Sequence, residues 1–150
     1  MEIHMNWCEI FSYKDGHLYW IKTGQRRTLS KPAGTLNNAG YIVVRMNGKN
    51  YCVHRIIWEM HNGEIHNGLQ IDHIDRNKSN NYIENLRLAT HQQNNQNKVS
   101  RGFHWYKPTQ KWRAEIKNND RKKHIGYYDT IIDARAAYLQ ARRKHFGEFA

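Results

Sequence analysis

Hydrophobic and polar positions along the chain change period twice, and each change marks a new kind of structure. Asp15-Gly16 is a hairpin-turn signal ahead of His17-Leu18-Tyr19-Trp20-Ile21, a strand-like run. Asn38-Ala39-Gly40 precedes Tyr41-Ile42-Val43-Val44, rich in β-branched residues, and Asn47-Gly48 is a further turn signal before Tyr51-Cys52-Val53. The pattern then becomes helical. Val53, Ile56, Ile57 and Met60 fall at i, i+3, i+4 and i+7, one apolar face, so the spacing predicts a helix over 53–61 that Asn62-Gly63 stops.

Residues 64–98 read as strand, loop, strand, helix. The apolar run 69–71 leads into Asp72-His73, and the polar loop Asp75-Arg76-Asn77-Lys78-Ser79-Asn80-Asn81 follows. Leu86-Arg87-Leu88-Ala89 is a second short run. Thr90 with Gln93 three residues later has the capping-box spacing of a helix start. Beyond an Asn- and Gln-rich linker at 94–100, Lys111-Trp112-Arg113-Ala114-Glu115-Ile116-Lys117 alternates strictly, with Trp112, Ala114 and Ile116 on one face. Asn118-Asn119-Asp120 predicts a turn and Lys122 to Tyr128 the next strand. Asp129-Thr130 offers helix caps, and Ala134, Ala137, Tyr138 and Ala141 form a small-residue stripe that packs on a sheet, with Gly147 ending the helix.

Composition narrows the function. The chain has 150 residues, room for one ordinary domain or two very small ones, and its 39% hydrophobic content argues against disorder. Lys plus Arg number 24 against 13 Asp plus Glu, a formal net charge of +11. A polyanion is the natural partner, because cations laid on a phosphate backbone release condensed counterions. Cys8 and Cys52 form no C-x-x-C pair, which argues against a disulfide scaffold or a thiolate zinc site; both are expected to be small buried hydrophobes. The opening MEIHMNWCEI lacks the apolar core of a signal peptide, and no apolar run approaches the ~20 residues of a membrane helix. A soluble, intracellular protein without a membrane partner is expected.

The chemistry-bearing residues lie between 72 and 94. A phosphodiester nuclease needs a base to deprotonate water, a cation to stabilise charge on the leaving oxygen, and a group to orient the base. Imidazole titrates near working pH, so His73 suits the base. Asp72 is a hard oxygen ligand suited to Mg²⁺ or Mn²⁺. An Asn carbonyl can hold an imidazole in one tautomer, and Asn85 stands twelve positions after His73. Asn94, twenty-one positions after His73, offers a second oxygen ligand from the predicted helix, with His91 as a rival. His54 reads as a structural hydrogen-bonding residue. Arg87 reads equally as a phosphate contact or as a solvated charge.

Ile71-Asp72-His73-Ile74-Asp75, Asn80-Asn81-Tyr82-Ile83-Glu84-Asn85-Leu86-Arg87 and Gln93-Asn94-Asn95, preceded by Val53-His54-Arg55-Ile56-Ile57-Trp58, resemble the HNH endonucleases of the ββα-metal fold. The likeness covers roughly 40–98 and is greatest to phage homing endonucleases whose last ligand is Asn. It implies that Asp72 and Asn94 hold one divalent metal, Mg²⁺ or Mn²⁺, that His73 is the general base and that Asn85 orients it. Ser100-Arg101-Gly102-Phe103, Lys111 to Ile116, His124 to Thr130 and Ala134 to Tyr138 resemble the plant ethylene-response-factor DNA-binding domain, a three-stranded antiparallel sheet backed by one helix. That resemblance implies DNA contacts from Arg101, His104, Arg113, Glu115, Lys117 and Lys123.

The expected class is α+β. A ββα-metal nuclease region over 1–98 comprises a β-rich 1–52, a helix at 53–61 and the metal motif at 69–98. A sheet-plus-helix DNA-binding domain follows over 99–150. The expected activity is metal-dependent hydrolysis of double-stranded DNA by a monomeric phage homing endonuclease in the cytoplasm of a bacterial host. Two alternatives stand beside it: a DNA-binding regulator with an inactive nuclease core, and a structure-selective or RNA nuclease.

Overall fold

The computed structural model describes residues 5–24, 27–98, 101–118 and 121–150. Residues 99–100 of the expected linker and 119–120 of the expected turn lie outside these. The chain divides into two compact units, Met1–Thr90 and His91–Ala150, whereas the sequence reading put the boundary at 98/99.

In the first unit, β1 (Phe11–Lys14) and β2 (His17–Trp20) form an antiparallel hairpin. Its turn, Asp15-Gly16, has φ of 49° and 76°, the left-handed pair that a two-residue hairpin requires. β3 (Thr35–Leu36), β4 (Ile42–Met46) and β5 (Lys49–Cys52) form a three-stranded sheet, with Asn47-Gly48 at 49° and 77° turning β4 into β5. Helix α1 (Val53–Asn62) follows directly and ends on Gly63, one residue beyond the expected span. Val53, Ile56 and Ile57 from its apolar face are buried with Phe11, Leu18, Val44, Met46, Ile71 and Leu86. This core supports a second antiparallel pair, β6 (Leu69–His73) and β7 (Leu86–Thr90).

In the second unit, α2 (His91–Asn97) leads to the antiparallel sheet β8 (Phe103–Tyr106), β9 (Lys111–Asn118) and β10 (Arg121–Tyr128), with β9 central, and to α3 (Ile131–Phe146). The Thr130 side chain accepts from Asp133 N and caps α3, and Gly147 ends it. Ala134 and Tyr138 are buried, as are Ala114 and Ile116 of β9, so the small-residue stripe packs as its spacing predicts. Arg142 is also buried, and its guanidinium donates to Gln96 O at 2.6 Å and Lys98 O at 3.1 Å, satisfying carbonyls at the C-terminal end of α2. The cysteines depart from expectation: Cys8 is exposed and Cys52 half-buried, because neither lies on a core-facing position of its element. No described helix is long and apolar enough to cross a membrane.

Candidate functional site

Strand β6 ends on Asp72 and His73, and successive strand residues face opposite ways. Asp72 is registered opposite Arg87 on β7, and His73, the last residue of the strand, opposite Leu86. The Asp72 Oδ2 atom accepts from Arg87 Nε at 2.9 Å and lies 2.9 Å from its Nη2. Their side chains are only 6% and 13% exposed, so the half-buried Arg87 is the ion-pair partner of a buried carboxylate. It is therefore neither the solvated charge nor the ready phosphate contact that the sequence suggested.

His73 turns its ring into a buried polar cluster. Its Nε2 lies 3.0 Å from Asn81 Oδ1, and both residues are buried. The amide oxygen accepts, so Nε2 carries the proton and Nδ1 is the basic nitrogen. The His54 ring stands edge-on to His73 at 5.0 Å, with Tyr41 at 6.1 Å from His73 and 5.2 Å from His54. Burial pushes His54 down to about 3, with His73 and Arg55 lowering it further, so it is a neutral imidazole at physiological pH. Its Nδ1 is buried and has no hydrogen-bond partner among the described residues, which departs from the structural hydrogen bond expected of it. Burial raises the Tyr41 phenol, and the charges of Cys52 and Asp72 raise it further. Lys78 lies 4.7 Å over the Tyr41 ring and donates to Ala39 O.

The loop between β6 and β7 delivers Asn81. Asp75 is its hub: the carboxylate accepts from Asn77 N at 2.8 Å, Asn80 Nδ2 at 2.6 Å and Asn85 Nδ2 at 2.9 Å. Burial alone would raise the Asp75 pKa, but these hydrogen bonds outweigh it and hold the carboxyl below its ordinary value. Asn85 also accepts from Asp75 N through Oδ1 and donates to Asn80 O. Its side chain is thus spent on closing the loop, and the amide on His73 belongs to Asn81, four positions earlier. Sequence reasoning missed this because a run of loop asparagines looks alike until the loop's path is known. The only signal was that Asn81 sits inside the matching text.

Asn94 and its rival His91 both stand on α2. In the second unit, register places His104, Arg113, Glu115 and Lys117 on the sheet face away from Tyr138, Ala114 and Ile116. Lys123 is registered opposite Ile116 and so belongs to the other face; the third-strand cation on the open face is Lys122, opposite Lys117. Glu115 bonds Lys122 at 2.8 Å and lies 3.5 Å from Arg113, and these cations lower its pKa. It holds its neighbours in place more than it offers itself to a ligand. Arg113 lies 5.4 Å over the Tyr106 ring, which packs on Tyr127. Arg101 precedes β8.

An imidazole with one nitrogen donating to an amide oxygen carries its basic lone pair on the other nitrogen. Among the described residues no three His, Cys, Asp or Glu gather into a metal cage. The donors that the sequence offers, a buried carboxylate at Asp72 and an amide at Asn94, are hard oxygens. Hard oxygens of this kind are the donor chemistry that Mg²⁺ and Mn²⁺ favour.

Known proteins share this segment. A match to a family described as HNH endonuclease covers residues 51–96, which include Asp72, His73, Asn81, Asn85 and Asn94. Protein 3.8 of Escherichia phage T7 is 32% identical over 105 residues, 65% of this chain and 86% of that protein. An uncharacterized HNH endonuclease of Acanthamoeba polyphaga mimivirus is 35% identical over 127 residues, 81% of this chain and 67% of the relative. The DNA endonuclease I-HmuI of Bacillus phage SP01 is 32% identical over 105 residues, with 60% of its length covered. The solved structure of I-HmuI, an HNH homing endonuclease, aligns over 93% of this chain at 25% identity with a TM-score of 0.46.

Proposed function

This chain belongs to the HNH endonuclease family, and from that membership we propose that it is a metal-dependent nuclease of a phage homing element that hydrolyses double-stranded DNA. It would act as a monomer in the cytoplasm of a bacterial host. The observation that carries the reading is His73: a buried imidazole at the end of β6, one nitrogen held by an amide oxygen. In this reading His73 Nδ1 takes a proton from a water molecule. The water oxygen attacks phosphorus in line, the bond to the 3′ oxygen breaks, and that oxygen leaves to collect a proton from solvent. The products are a 5′-phosphate and a 3′-hydroxyl.

Asp72 and Asn94 are the oxygen donors that would hold one Mg²⁺ or Mn²⁺. What the cation supplies when bound is stabilisation of the charge that develops on the leaving 3′ oxygen. Arg87 pairs with the Asp72 carboxylate across β6 and β7 and holds it in place. Asn85 closes the loop that follows His73.

We assign the second unit to DNA binding through the open face of its sheet, in the manner of ethylene-response-factor domains. The support is chemical: His104, Arg113, Lys117 and Lys122 lie on one face in register, and Arg101 precedes the first strand of that sheet. The full-length protein on supercoiled plasmid tests the reading. Nicking or linearisation with Mg²⁺ or Mn²⁺, abolished by excess EDTA, is expected. Undiminished cleavage in EDTA contradicts the metal assignment, and tight DNA binding without cleavage under any divalent ion contradicts the enzyme.

A further inference from the structure

We propose that Asn81 is the positioning residue that fixes the tautomer and orientation of His73, and that Asn85 acts one step further out, by closing the loop from which Asn81 projects. The inference rests on the reading of His73 as general base. Four observations carry it. Asn81 Oδ1 is 3.0 Å from His73 Nε2. Asn81 is 1% exposed, so the bond is shielded from water. Its other amide atom, Nδ2, is buried with no hydrogen-bond partner among the described residues. A loop asparagine kept for stability alone would be expected to satisfy both ends, because an orphaned buried donor is costly; this one keeps the end that meets the imidazole. Finally, Asn85 spends its donor and its acceptor on Asp75 and Asn80.

The chemical consequence concerns which nitrogen is basic. An amide oxygen accepts only from a protonated nitrogen, so Asn81 selects the Nε2–H form and makes Nδ1 the basic nitrogen. Without the amide, the Nε2–H form loses the hydrogen bond that favours it, and the Nδ1–H form, in which the basic nitrogen faces the other way, gains population. His54 does not replace this control, since it meets His73 edge-on and its own Nδ1 makes no hydrogen bond among the described residues.

The test has a spectroscopic arm and a kinetic arm, both on the full-length protein. Long-range ¹H–¹⁵N correlation of the metal-free, ¹⁵N-labelled protein at alkaline pH reads the tautomer of each of the ten histidines, and loss of one signal set in His73→Ala assigns His73. The wild type is expected to show the Nε2–H form, and Asn81→Ala a mixture. Asn81→Asp keeps an oxygen acceptor in place and is expected to restore the Nε2–H form. In single-turnover cleavage at saturating DNA, Asn81→Ala is expected to lose on the order of 10²-fold in rate, with DNA affinity and circular dichroism unchanged.

An Nδ1–H tautomer in the wild type overturns the proposal even if Asn81→Ala does not fold, and so does a folded Asn81→Ala that cleaves at the wild-type rate. His73→Ala separates the two levels. If it retains full activity, the base assignment itself is wrong. If it is inactive while Asn81→Ala is fully active, only the positioning role is lost.

Discussion

Asp72 and Arg87 face each other across β6 and β7, the carboxylate buried and the guanidinium half-buried. An ion pair in such a place gains little net stability, because desolvation offsets most of the attraction. Removing one partner, however, leaves an uncompensated buried charge. Arg87→Met is therefore expected to destabilise the fold by about 3–5 kcal/mol in urea denaturation. A loss well under 1 kcal/mol would show that Asp72 does not depend on the pair. His54 makes a complementary prediction. Its folded value of about 3 lies below the ordinary 6.5, so the unfolded chain protonates first as pH falls. The stability tied to its neutral form is complete above about pH 6.5 and is lost as pH falls toward 3, at up to ~1.4 kcal/mol per pH unit. His54→Phe keeps a ring against His73 and removes the titration. Urea midpoints at pH 7, 6 and 5 should fall more steeply for the wild type than for this variant, and parallel profiles would refute the assignment.

At the scale of elements, the second unit depends on one close approach. Gly102 has φ of +58°, and a Cβ there would lie 2.0 Å from the Tyr138 ring that anchors α3. Gly102→Ala combines backbone strain with overpacking and should cost about 1–3 kcal/mol, read as a lowered thermal midpoint; an unchanged midpoint would mean that the ring moves aside freely. Elements set by local chemistry were legible in the sequence. The Asp15-Gly16 and Asn47-Gly48 hairpins, α1 with its apolar face and α3 with its cap and alanine stripe all stand within a residue or so of expectation. Elements set by register or loop path were not. Nothing in the sequence fixes how β10 pairs with β9, and a one-residue slip exchanges the faces, so the resemblance points to Lys123 where the register puts Lys122 on the open face. Spacing along a chain does not say which loop amide folds back under the imidazole, so the Asn81–His73 hydrogen bond is not legible in the sequence beside Asn85.

At the scale of the whole molecule, the net charge of +11 together with the proposed function predicts a DNA affinity that falls with salt. Each cation that neutralises a phosphate adds about 0.9 to the slope of log affinity against log salt. Arg113→Ala and Lys117→Ala on the open face should each lower affinity and flatten that slope by up to this amount, measured by fluorescence anisotropy between 50 and 200 mM salt. An unchanged slope would remove that face from the interface. The central claim, that His73 is the base of a DNA-cleaving site in the first unit, is tested most directly by His73→Ala. Its single-turnover cleavage rate and its DNA affinity are to be measured on the same preparation with Mg²⁺. The account predicts a rate lower by about 10²–10⁴-fold with affinity nearly intact. A folded His73→Ala protein that cleaves as fast as the wild type would contradict it.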